Sequence, residues 1–104
     1  MVHSAESARQ ATYLVEHYAP GCGAEELTAR AARVRTAVSD LQREHLQLLL
    51  LGWTVVPQEE SILCVFEARS EQLVRGACAR AGFEVDRISP AIAEGANQMP
   101  IVEG

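Results

Sequence analysis

Glu16, His17 and Cys22 put a carboxylate, an imidazole and a thiol within one short stretch of the chain. Those are donor types that late divalent transition metals accept, nickel among them. The plainer reading of the same stretch is a solvated strand end whose charges face water. Glu16 stands apart because it lies mid-strand beside expected core positions. A carboxylate there must be paired, either with an Arg from a neighbouring element or with a ligand. A second grouping, Tyr13, His17, Trp53 and Cys64, holds the residues that would line a small-molecule pocket against the sheet.

The other chemistries have less behind them. The three cysteines, Cys22, Cys64 and Cys78, are widely spaced with no CxxC pair, which argues against a zinc ribbon or a thioredoxin-type site. Cys64 falls in an apolar strand pattern and Cys78 on the apolar side of a helix pattern, so both read as small buried hydrophobes. Cys22 sits in the turn Pro20-Gly21-Cys22-Gly23 and reads as accessible. A turn flanked by glycine holds a thiol and an imidazole too loosely for Cys22 and His17 to act as a nucleophile–base pair. That turn is also too short for a phosphate-binding loop and lacks its lysine.

The elements that must position these residues follow from periodicity. Residues 11–18 are rich in β-branched and aromatic types and close on Pro20-Gly21, which reads as a strand. From Ala24 to about Arg43, Leu27, Ala31, Val34, Val38 and Leu41 recur at steps of four and three, the stripe of an amphipathic helix. Leu46 to Val56 and Ser61 to Glu67 are apolar runs separated by a Pro-led polar turn, a β-hairpin. Ser70 is the expected N-cap of a second helix, with Leu73, Val74, Ala77, Cys78 and Ala81 as its stripe and Gly82 just past its end. A last strand is expected from Phe83 to Ile88, stopped by Ser89-Pro90. The order β-α-β-β-α-β with right-handed crossovers gives a ferredoxin-like α+β fold, an antiparallel sheet of order 4-1-3-2 with both helices on one face. Three segments result: a flexible lead at 1–10, the domain at 11–90 and a flexible or loosely docked tail at 91–104.

This topology gathers Glu16, His17, Cys22, Glu59 and Glu60 at one end of the sheet and leaves His45 and Glu67 at the other. Helices on one face leave the second face bare, yet the middle strands read as apolar on both sides. Leu48 and Leu50 alternate with Leu49, Leu51 and Trp53, and Ile62, Cys64 and Phe66 alternate with Leu63 and Val65. The expected answer is a homodimer packed sheet to sheet.

Composition narrows the partners. The 104 residues make one domain's worth of chain, 48% hydrophobic, with mean hydropathy close to zero. A net charge of −5, with nine scattered cations that are all Arg, disfavours nucleic acid. No apolar run approaches the roughly 20 residues of a membrane span and no signal-peptide pattern opens the chain, so the expectation is a cytoplasmic protein with no membrane partner.

One resemblance adds to this. The blocks Tyr13-Leu14-Val15-Glu16-His17-Tyr18 with Pro20-Gly21, Leu51-Gly52 through Val55-Val56-Pro57, Cys64-Val65-Phe66-Glu67-Ala68, Val74-Arg75, Ala81-Gly82 and Asp86-Arg87-Ile88 resemble a family of small actinobacterial proteins. The family was formerly a domain of unknown function, and its characterised example is a dimeric, ferredoxin-like nickel-binding protein. The resemblance implies the same fold, a dimer, and nickel or another divalent ion as cofactor in a protein without catalysis. It also marks a departure, since many members carry a His late in the second strand where this chain has Gly52 and then Trp53. The competing expectations are a dimeric α+β barrel-like protein or enzyme with a small-molecule ligand, and a regulatory module that binds other proteins.

Overall fold

The computed structural model describes residues 10–92. Strand β1 (Ala11–Tyr18) leads into helix α1 (Ala24–Arg43), then β2 (Leu48–Val56), a single 3-10 turn at Pro57–Glu59, β3 (Ser61–Ala68), helix α2 (Glu71–Arg80) and β4 (Arg87–Ala91). The strands form one sheet of order β2-β3-β1-β4, antiparallel throughout. This is the α+β plan expected, the same order read from the other edge. Nearly all of the lead 1–10 and the tail 91–104 lies outside the described residues. Among those described, no helix is long and apolar enough to cross a membrane.

Both helices lie over one face of the sheet, because their apolar stripes and one set of alternate strand residues bury each other. Val15, Ile62, Cys64, Phe66 and Ala68 from the strands meet Leu27, Val34 and Val38 of α1 and Val74, Ala77 and Cys78 of α2, all buried. The helices end alike. In α2 the amide of Gly82 donates to Ala79 O and that of Phe83 to Cys78 O, with Gly82 left-handed at φ 67°. In α1 the amide of His45 donates to Gln42 O and that of Leu46 to Leu41 O, with His45 at φ 72°. Both are Schellman closures, with His45 standing where glycine is usual.

Three expectations need correction. Strand β2 starts at Leu48, not Leu46, because Leu46 is consumed in closing α1. Strand β4 runs Arg87–Ala91, not Phe83 to Ile88: Phe83 is consumed in closing α2, and Pro90 is tolerated because β4 is an edge strand. The third concerns β2, whose register slips between Leu50 and Gly52, a β-bulge that leaves Leu51 unmatched. Before it Leu50 pairs with Phe66; after it Trp53 pairs with Cys64 and Val55 with Ile62. Trp53 therefore lies on the helix-covered face and not beside Leu49, and its ring sits 5.9 Å from the Arg35 guanidinium of α1.

Candidate functional site

The alternation of β1 decides the geometry. His17 is opposite Ile62 on the helix-covered face, while its neighbour Glu16 is opposite Leu63 on the open face. They share an end of the sheet and are separated by its thickness.

His17 is 2% exposed. Its Nδ1 lies 2.6 Å from the carbonyl oxygen of Glu84 in the loop before β4, and its Nε2 lies 3.0 Å from Nη1 of Arg30 on α1. The Phe83 ring stacks on the imidazole at 4.3 Å between centroids. Arg30 is itself held by Glu26 one turn earlier, at 3.1 Å. The sequence offered no sign of these partners, because they come from two elements distant along the chain.

Glu16 accepts a hydrogen bond from the Tyr18 hydroxyl at 3.0 Å and lies 3.7 Å from Nε of Arg87, its pairing partner on β4. The carboxylate beside it pushes the Tyr18 phenol above its ordinary range. The backbone N–H of Tyr18 donates to Asp86 at 2.8 Å, and that of Asp86 to the Glu16 carbonyl at 2.9 Å. A mid-strand carboxylate thus has the Arg from a neighbouring element that its position calls for.

Cys22 is half-buried in its turn, packed against the core, with its amide donating to Ala19 O. Tyr13 is partly buried against the core and Cys64 is fully buried. Burial pushes the thiols of Cys64 and Cys78 up to about 12. Tyr13, Trp53 and Cys64 share the helix-covered face without opening a pocket between them. Surface hollows of about 310, 320 and 380 Å³ include none of the three. The first lies between the helices over Ala32, Thr36 and Ala37 and is rimmed by Arg33 and Arg80.

A nickel ion would need several donors converging on one point. Glu16 and His17 face opposite ways, both ring nitrogens of His17 have protein partners, and among the described residues no three His, Cys, Asp or Glu side chains come together as a metal site. The described donors of one chain do not fit the ion.

The model of the nickel-responsive protein family typified by SCO4226 matches residues 13–90. The chain belongs to that family. The crystal structure of SCO4226 from Streptomyces coelicolor A3(2) superposes with a TM-score of 0.63 at 20% identity, covering 78% of this chain and 95% of that one. At that identity the likeness speaks for the fold. No curated protein matches the sequence. Within this family member, Gly52 pairs with Val65 on the open face, so a side chain at that position would project away from the helices.

Proposed function

We propose that this family member is a small, non-catalytic protein that binds nickel or a similar divalent ion and works as a homodimer. Membership of a nickel-responsive family over residues 13–90 carries the reading. The described donors of a single chain limit it: no three of them converge, so no coordination shell is assigned to residues of one copy. Two copies meeting at their open faces would bring Glu16 and its surroundings from each into one interface.

Calorimetry with Ni²⁺ on tag-free protein tests the proposal, with Mg²⁺ as control. A saturable heat for Ni²⁺ that Mg²⁺ does not give is the expected result. No heat above buffer, from protein that scatters light as a folded species, removes it. A polyhistidine tag must be absent, since it would mimic the property under test.

A further inference from the structure

We infer that His17 is a neutral clasp, held out of metal coordination, that fastens α1 and the loop before β4 onto β1. The partners fix its chemistry. A carbonyl oxygen can only accept, so Nδ1 carries the hydrogen and donates to Glu84 O at 2.6 Å. A guanidinium can only donate, so Nε2 is bare and accepts from Arg30 at 3.0 Å. A single uncharged tautomer satisfies both bonds.

Coordination needs a ring lone pair. In this tautomer Nδ1 has none, and that of Nε2 is taken by an N–H of a cation. A divalent ion reaching Nε2 would have to displace Arg30 and would meet its charge at close range. Glu26, at 3.1 Å, holds the guanidinium in place. Phe83 covers one face of the ring at 4.3 Å, and the side chain is 2% exposed. The joined elements are distant in sequence, and the loop they hold also carries Asp86, whose amide bonds Glu16 O and whose carboxylate accepts from the Tyr18 amide. His17 is thus a positioning residue: through the loop it sets where Arg87 stands beside Glu16 on the other face. The inference does not depend on the nickel reading, since the bonds exclude any divalent ion from this ring.

The test uses the full, tag-free, ¹⁵N-labelled chain. Long-range ¹H–¹⁵N correlation of His17 should show a protonated Nδ1 and a bare Nε2; the opposite tautomer overturns the inference. In His17→Gln the melting temperature should fall by about 5–15 °C. Exchange of the Asp86 and Phe83 amides should quicken about tenfold or more. Loss of the nickel heat with the melting temperature unchanged would overturn it too. If His17→Gln fails to fold, the tautomer of the parent protein decides. If the parent takes up no nickel, the nickel proposal fails, and His17 is judged by tautomer and exchange.

Discussion

Cys64 and Cys78 are wholly buried, and burial pushes both thiols from an ordinary value near 9.0 up to about 12. For Cys64 the neighbouring Cys78 adds to the rise, whereas Arg75 partly offsets it for Cys78. Between those two values the unfolded chain sheds a proton that the native chain keeps, so stability falls as pH rises. Each thiol contributes a slope of about 1.4 kcal/mol per pH unit across that window. Urea melts in reducing buffer should therefore lose about 3 kcal/mol between pH 9 and 10.5 from the pair, and Cys78→Ala should remove about half of that loss. A stability that is flat across this range would contradict the burial. Such buried thiols were legible in the apolar patterns around them. The proposed cluster of Glu16 and His17 was undercut by the same kind of evidence, because adjacent residues of a strand point to opposite faces. Period two by itself separates them. Arg30 and Glu84 were not legible, since nothing local ties a helix residue or a loop carbonyl to that imidazole.

The two helices share a way of ending, and that explains most of what the sequence concealed about element boundaries. Gly82 was readable as the left-handed residue past α2, but the closure also uses the residue after it. Phe83 is drawn inward to cover His17, and β4 waits until Arg87. At the end of α1 the same geometry hides behind His45, a residue that gives no signal of a left-handed turn, so Leu46 reads as the start of β2. His45 at φ 72° holds a conformation in which a Cβ is strained and glycine is at ease. His45→Gly should raise stability by about 0.5–1 kcal/mol, read as a higher urea midpoint with unchanged slope. A loss of stability would mean that the His45 side chain makes a contact worth more than the strain. The bulge in β2 is a further local irregularity with consequences at long range. It turns Trp53 toward Arg35 and transfers the largest side chain of the strand from the open face to the covered one.

For the whole molecule that transfer changes the argument for assembly without removing it. The open face still presents Leu14, Leu63 and Val65, each partly exposed, with Leu49 at 46% exposed on the outer strand. Around them stand Thr12, Thr54, Glu67 and the Glu16–Tyr18–Arg87 group, so the face is an apolar centre with a polar surround. That is the composition of a protein interface. Leu14 sits at its middle, between Val65 of β3 and Ser89 of β4. If two copies pack there, a charge at Leu14 must be desolvated against a like charge on the other copy, which a marginal interface does not survive. Light scattering at micromolar concentration should give twice the 11.3 kDa of one chain for the parent and a single chain's mass for Leu14→Arg, with the same far-ultraviolet dichroism. Because Leu14 points away from the helices, the substitution leaves the core intact, and a dimer that persists would place the contact elsewhere. A parent protein that scatters as a clean monomer would remove the dimer altogether. Nickel would then have to be bound by a chain whose described donors do not converge.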